Sequence, residues 1–260
     1  MLTSYLLNLS NLLQSPGAPT TLYSTANLTN FINIARGQIA GEGECILVEG
    51  TVSTVVSQRP YNFSSINIGV TATTGVAGII NVEAIRYGLG QGQQWMTPRP
   101  WQWFQYYHLN NPVPMNGPPR RWSQFGQGGS GQGSITGIGA GTLASGSFYI
   151  DPPPDYIYTL NCDCVCYPQA LAADTDVEAL PYLWTDAVPY FAAWYALLSS
   201  QTSARQADAA RMMEAYETFA QRARAFSNPS TNRGGYRQAK DPVAMTRLGI
   251  VPKQGQGGGQ

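Results

Sequence analysis

Leu2, Tyr5, Leu6, Leu9, Leu12 and Leu13 recur at i, i+3, i+4, i+7, i+10 and i+11, and the run stops at Gln14-Ser15-Pro16-Gly17. That spacing puts one apolar stripe on a short helix, and Pro-Gly ends it. Leu28, Phe31, Ile32, Ala35 and Ile39 repeat the pattern, which predicts a second helix capped by Asn27 and terminated at Gly41 and Gly43. From Cys45 the period falls to two. Ile46, Val48, Val52 and Val56 face one way and Glu49, Thr51 and Ser53 the other, as a half-buried strand requires. Further strand-like runs cover residues 65–70, 78–87, 95–109, 120–125, 146–150 and 156–167, with Pro and Gly clusters between them. Some seven short strands separated by turns predict an antiparallel sandwich or jelly-roll-like module.

At about residue 168 the pattern changes once more. Tyr156, Tyr158, Leu160, Cys162, Cys164 and Cys166 alternate up to Tyr167-Pro168, and everything downstream has helical spacing. Thr175-Asp176-Val177-Glu178 has the form of a capping box and predicts a helical segment that Pro181 interrupts. Asp186 is expected to cap the next helix, with Pro189 in its first turn and Phe191, Trp194, Tyr195 and Leu198 inward. Ser203-Ala204-Arg205-Gln206 opens a last helix with Met212, Met213, Tyr216, Phe219, Ala220 and Ala223 inward. The short link between these two helices predicts antiparallel packing. The fold class that follows is α+β: a helical bundle base with an inserted antiparallel β-sandwich or jelly-roll-like module and an extended C-terminal tail. Its expected parts are residues 1–44 and 168–228 for the bundle, 45–167 for the β module and 229–260 for a basic arm.

Composition sharpens this picture at the tail. The 260 residues have a formal net charge of zero, yet residues 1–199 carry 6 Arg against 11 acids and residues 200–260 carry 9 Lys or Arg against 4 acids. Most of the excess lies beyond residue 227, in Arg233, Arg237, Lys240, Arg247 and Lys253 against Asp241 alone. Such an arm suits an acidic docking surface. Tyr236 is the only aromatic among these positive charges, which disfavours nucleic-acid recognition. The longest uncharged helical stretch, residues 187–198, is too short to span a bilayer, and no signal peptide opens the chain, so no membrane contact and an intracellular or virion-packaged origin are expected.

Candidate chemistry is sparse. Cys162, Cys164 and Cys166 invite a zinc reading, but Cys-x-Cys-x-Cys lacks the usual paired spacing, and Cys45 and His108 are distant. Small buried hydrophobes are the favoured reading over metal or redox chemistry. His108 is the only histidine, placed by its aromatic surroundings at a strand edge or in the core. No Gly-x-Ser-x-Gly elbow, His-Glu-x-x-His or phosphate-loop Gly-Lys occurs. Gly126, Gly128 and Gly131 fit a dinucleotide fingerprint, but the following residues are too glycine-rich for the helix it needs; residues 126–141 read as a mobile loop. Asp151 and Asp155 bracket three prolines, where a solvated turn is favoured over paired-carboxylate catalysis. Trp95, Trp101 and Trp103 are candidates for a sugar platform, with core packing the competing explanation.

Several segments resemble the head-to-tail adaptor proteins of tailed bacteriophages, most closely the tail tubular protein A type. They are Leu28-Thr29-Asn30-Phe31-Ile32-Asn33-Ile34-Ala35-Arg36, Gly117-Pro118-Pro119-Arg120-Arg121-Trp122, the run from Phe148 to Tyr158, and Tyr167-Pro168-Gln169-Ala170-Leu171. Leu180-Pro181 and Tyr190-Phe191-Ala192-Ala193 follow the same style, and the likeness spans roughly residues 20–230. The resemblance implies a structural virion protein of the tail or neck, assembled in the host cytoplasm as a twelve-fold ring between the portal protein and the tail nozzle protein. Double-stranded DNA would pass through its lumen without sequence recognition, and no cofactor or metal is implied. The 126–141 loop and the cysteine strand depart from the family pattern. Two sets of contact residues are expected: Arg233, Tyr236, Arg237, Lys240, Arg247 and Leu248 for portal docking, and Trp101, Trp103, Arg120 and Arg121 for contacts of the β module with neighbours or tail. A carbohydrate- or receptor-binding β module on a helical base is the alternative, and an enzyme is disfavoured because no convergent catalytic set is present.

Overall fold

The computed structural model describes residues 1–13, 23–69, 74–89, 92–110, 115–125, 146–198 and 203–227. Helix α1, Leu2–Leu12, buries Leu2, Tyr5 and Leu9, the i, i+3, i+7 positions of its stripe. Helix α2, Thr25–Gly43, starts one turn earlier than its apolar spacing suggests. Ser24, in extended conformation, accepts a hydrogen bond from the Asn27 N–H at 3.2 Å, so Ser24 is the cap and Asn27 the third helical residue. At the other end Glu44, not a glycine, adopts the left-handed conformation, with φ 46°. Gly43 serves a different need, because a Cβ there would lie 2.7 Å from the Trp184 ring. Backbone and indole can approach this closely only without a side chain.

Eight strands make two four-stranded sheets among the described residues. The first has the order β1 (Leu47–Ser53), β8 (Thr159–Pro168), β3 (Val76–Leu89), β4 (Gly92–Trp95), all antiparallel. The second runs β2 (Pro60–Asn62), β7 (Ser147–Asp151), β6 (Arg121–Phe125), β5 (Thr97–Pro98). Its β5–β6 pair is parallel, a departure from the all-antiparallel expectation. Strand β8 is central, with Val48 opposite Cys164 on one side and Val82 opposite the same residue on the other. Leu160, Cys162, Cys164 and Cys166 are fully buried, as their alternation predicts, whereas Tyr156 precedes the strand and is exposed. Three register shifts in β3 break its alternation, so that the adjacent Ile79 and Ile80 are both buried.

Four local expectations are corrected. Residues 101–110 are not strand but helix α3, Trp101–Asn110, which follows Pro100 and turns Phe104 fully inward. An aromatic run fits either period locally, and proline just ahead of it favours a helical start. Of the expected strand at 65–70, the described residues 65–69 form none: a 3-10 turn, Phe63–Ser65, leads to a single bridge between Thr51 and Asn67. Strand β1 ends at Ser53, leaving Val56 exposed. The Thr175 to Glu178 box starts no helix. Asp176 instead accepts the N–H groups of Ala172 and Ala173, at 2.6 and 2.7 Å, and Glu178 is drawn to Arg36. Helix α4, Tyr182–Thr185, begins directly after Pro181 as its cap residue.

Helix α5, Val188–Leu198, and helix α6, Ser203–Ser227, complete the helical part. Asp186 closes α4 in a helical conformation. Phe191 is buried as expected, but Leu198 is exposed, and Ala192, Ala193, Ala196 and Leu197 complete the inward face. Ring contacts of Phe191 with Tyr216 and of Tyr190 with Phe219, at 5.1 and 4.9 Å between centroids, run in opposite chain directions and mark antiparallel packing. Both N-terminal helices pack on α5, and the Tyr23 hydroxyl donates to the Ala196 carbonyl at 2.9 Å. One continuous apolar cluster joins these helices to both sheets. No helix among the described residues is long and apolar enough to cross a membrane.

Candidate functional site

Arg36 lies on the inner face of α2 and is fully buried, and its contacts hold the segment by which the chain leaves β8 of the first sheet for the helices. Its Nη2 donates to Glu178 Oε1 at 2.7 Å and its Nε to both Glu178 oxygens, while Nη1 donates to the Gln169 carbonyl at 2.7 Å and to Asn33 Oδ1 at 3.1 Å. Glu178 also accepts from the Tyr5 hydroxyl at 3.0 Å and from the Leu180 N–H. Asn33 in turn pairs with both backbone groups of Leu171. Burial, reinforced by Glu178, pushes the Tyr5 hydroxyl far above its ordinary range, so it stays a donor. This network binds α1, α2 and residues 169–180 into one unit. A charged pair of this kind holds only if every donor is used.

A second cluster sits where α3 meets the second sheet. Trp101 packs on Phe125 and Tyr149, each 4.6 Å between ring centroids. Trp103 has the guanidinium groups of Arg121 and Arg99 at 5.0 and 5.6 Å from its ring. Arg121 and Arg59 both approach the Asp151 carboxylate, at 3.8 Å. Burial lowers the Arg59 guanidinium from its ordinary value, and Asp151 opposes that shift. Three of the residues expected to make contacts, Trp101, Trp103 and Arg121, therefore gather here, and Arg120 is exposed beside them. Beside this cluster an open groove of about 440 Å³ is lined by residues including Arg99, Trp101, Trp122 and Ser123. The three candidate platform tryptophans do not combine. Trp95 is exposed and stacks with Arg86 at 5.2 Å, making no ring contact with Trp101 or Trp103 among the described residues.

A third feature escapes the sequence pattern. Val55, Val56, Tyr156 and Ile157 are all exposed, and they lie on two segments stitched together by Thr54. The Thr54 N–H donates to the Tyr158 carbonyl at 2.8 Å, the Thr54 hydroxyl to the Tyr156 carbonyl at 3.2 Å, and the Tyr158 N–H to the Thr54 hydroxyl at 2.8 Å. The result is an apolar tip at the end of β1 and β8. Alternation alone would have buried Val56 and Tyr156; the early end of both strands is what exposes them.

Cys162, Cys164 and Cys166 point into the core. Burial pushes the thiols of Cys162 and Cys166 up to about 12 and raises that of Cys164 as well, so they pack as neutral side chains. His108 lies in α3, with its side chain outside the described residues, as are residues 126–141 and the arm residues Arg233, Tyr236, Arg237, Lys240, Arg247 and Leu248. Asp151 is engaged by two arginines and Asp155 by the Tyr158 hydroxyl at 2.7 Å, so each acts as a structural acceptor. What these surfaces can do is bind: an apolar tip, a cationic aromatic cluster and an open groove all lie on the β side of the molecule. Residues 6–239 match the family model described as SU10 adaptor protein. No curated protein is matched.

Proposed function

The chain belongs to the SU10 adaptor protein family, and from that premise we propose that it is a structural part of a phage neck, joining the portal to the tail nozzle as a closed, twelve-fold ring. Residues 1–44 and 168–228 would form the ring-building base that faces the portal. Residues 45–167 would contact ring neighbours and the tail, and residues 229–260 would dock on the portal through Arg233, Tyr236, Arg237, Lys240, Arg247 and Leu248. DNA would pass through the lumen without sequence recognition. The virion neck would be its final location after assembly in the host cytoplasm, and its work is positioning and sealing rather than catalysis.

The observation that carries this reading is the apolar tip of Val55, Val56, Tyr156 and Ile157, each more than 45% exposed. Exposed apolar side chains gathered at a strand end are costly in water and gain by being covered. A ring supplies that cover by a heterologous contact repeated until it closes. Electron microscopy of the purified chain, alone and with added portal, tests the proposal. Twelve-fold rings support it, and monodisperse monomers that ignore the portal sink it. Within that experiment, V56D with I157D is expected to leave the fold intact and abolish rings.

A further inference from the structure

The apolar tip extends beyond its four residues. Met115, 85% exposed, lies beside it, because Asn116 Nδ2 donates to Ser57 Oγ at 2.6 Å and the Gly117 N–H to the Pro153 carbonyl at 2.9 Å. The Ser57 N–H reaches the Pro154 carbonyl at 2.8 Å, and the Val55 N–H donates to the Tyr61 hydroxyl at 3.0 Å. Residues 54–58, 115–117 and 153–158 are fastened to one another behind Val55, Val56, Met115, Tyr156 and Ile157. At the other end of β1 and β8 stands a second exposed set: Val177, Tyr182 and Leu183, with Tyr182 77% exposed. The Gly75 carbonyl accepts from the Gln169 N–H just past β8, and a Cβ on Gly75 would lie 2.6 Å from the Val177 oxygen. Trp184 packs on Gly43, just ahead of β1. The 10 residues of β8 separate the two sets, about 30 Å of extended chain.

The two ends also differ in charge. Residues 168–198 carry four carboxylates, Asp174, Asp176, Glu178 and Asp186, and no Lys or Arg. Asp186, close behind Leu183, is exposed and forms no ion pair among the described residues. The tip is flanked instead by Arg59, Arg120 and Arg121 against Asp151 and Asp155, and Arg120 is exposed and outside every ion pair among the described residues. Arg120 and Asp155 both act on the Tyr87 hydroxyl, and the Tyr87 ring packs edge-on against Tyr158 at 5.2 Å, which sets the two charges beside the tip. Surfaces at opposite ends of one sheet cannot meet within a chain, whereas copies joined head to tail bring each tip onto the next. We infer that the tip docks on residues 177–186 of a second copy, its apolar side chains against Val177, Tyr182 and Leu183 and Arg120 facing Asp186. One contact then covers both exposed sets, and the excess of arginine disfavours a tip-to-tip approach. This contact rests on the ring reading above, for which it supplies the receiving surface.

Paired cysteines at exposed positions test it. Full chains carrying V56C and Y182C, with different tags, are co-expressed and oxidised with copper phenanthroline, and the unsubstituted chain controls for the native cysteines. A cross-linked pair bearing both tags is expected, and neither variant alone should give it. R120E and D186K, each placed in every chain, should lower its yield about tenfold, because like charges then meet across the contact. The two changes together should restore it. V56C joined to V56C, the absence of a mixed pair, or a double variant as low as the singles overturns the inference. So does V56C joined to an added tail protein in place of Y182C. Closed rings are scored separately, by microscopy of the unsubstituted chain. Rings without the mixed cross-link leave the ring reading standing and remove this contact; the cross-link in open filaments keeps the contact and removes the ring; the absence of both overturns both.

Discussion

Around Arg36, the guanidinium Nε, Nη1 and Nη2 all meet acceptors, and the carboxylate that receives two of them is itself used by Tyr5 and Leu180. Along β6 and at the start of α3, the Trp122 and Trp101 indole N–H groups and the Ser123 hydroxyl meet none among the described residues. Both clusters are buried, and both join segments distant in sequence. Their difference separates two uses of buried polarity. A saturated network fixes one arrangement of the chain, here the return of residues 169–180 onto α1 and α2. An unsaturated one is a standing cost that water or a partner group can offset. The Arg36 network is satisfied within the chain, whereas the β side carries buried polar groups without a partner among the described residues and an exposed apolar tip.

The sharpest way to break this comparison is at the saturated cluster. E178Q removes the charge that balances Arg36 while keeping the shape of the side chain. The buried guanidinium then lacks a counter-charge, and a loss of about 3–5 kcal/mol is expected in urea unfolding. R36M with E178L removes both charges and should recover much of that loss. If E178Q costs less than about 1 kcal/mol, the pair is not the fastening proposed here.

The next effect concerns the join between α2 and α4. A Cβ at Gly43 would press on Trp184, at 2.7 and 2.9 Å from two ring atoms, whereas one at Gly41 would meet nothing within 4 Å. G43A should therefore destabilise by about 1–3 kcal/mol through overpacking. G41A, inside the same helix, should be neutral or stabilise by up to about 1 kcal/mol, because alanine favours helix over glycine. Thermal unfolding of the two variants side by side reads the difference. Equal effects would mean that the Trp184 contact does not constrain the helix end.

This pair also illustrates what the sequence could and could not convey. Gly41 and Gly43 look alike as terminators, and only the position of Trp184, far along the chain, tells them apart. Helices α1 and α6 were legible because their apolar stripes hold one period over several turns, and β8 because Leu160, Cys162, Cys164 and Cys166 keep one face, with Val165 alone buried on the other. Helix α3 was not, since Trp101 to Tyr106 offers aromatics at both periods and the choice is made by packing on Phe125 and Tyr149. The Arg36 network was hidden because its ion pair spans 142 positions, and the Thr175 to Glu178 box carries a local signal that the buried guanidinium overrides. That Trp101, Trp103 and Arg121 share one region was legible, while their contact role belongs to the proposal. The groove beside it was not, because its lining comes from three segments, near residues 81, 100 and 123.

At the unsaturated cluster the expected effect is small and of opposite sign. S123A deletes a buried hydroxyl that has no partner among the described residues, so the free chain should lose nothing and gain up to about 1 kcal/mol. The same change at a satisfied hydroxyl would destabilise. Equilibrium unfolding of S123A beside T54A makes the contrast direct, since the Thr54 hydroxyl both donates to Tyr156 and accepts from Tyr158. A loss of more than about 2 kcal/mol in S123A would show that its hydroxyl is paired after all, and the distinction between the two clusters would fall.

The smallest effect lies at the solvent edge of the saturated side. The Asp174 carboxylate accepts from the Thr3 hydroxyl at 2.6 Å, the Thr3 N–H at 2.9 Å and the terminal amine of Met1 at 2.9 Å, reaching back across the chain to cap α1. The hydrogen bonds from Thr3, helped by the terminal amine, hold this carboxyl well below its ordinary value near 3.8. A folded value below the unfolded one means that the unfolded chain binds the proton more readily. The support that Asp174 lends to α1 is then fully present above the ordinary carboxylate range and fades as pH falls below it. Because the group is exposed and held by hydrogen bonds to Met1 and Thr3, the consequence should be confined to α1. Hydrogen exchange of Tyr5 and its neighbours should quicken as pH drops below about 4, after correction for the intrinsic exchange rate. D174N should show the quicker exchange already at neutral pH, with no further acid step in that helix. An acid step of unchanged size in D174N would assign the cap to another group.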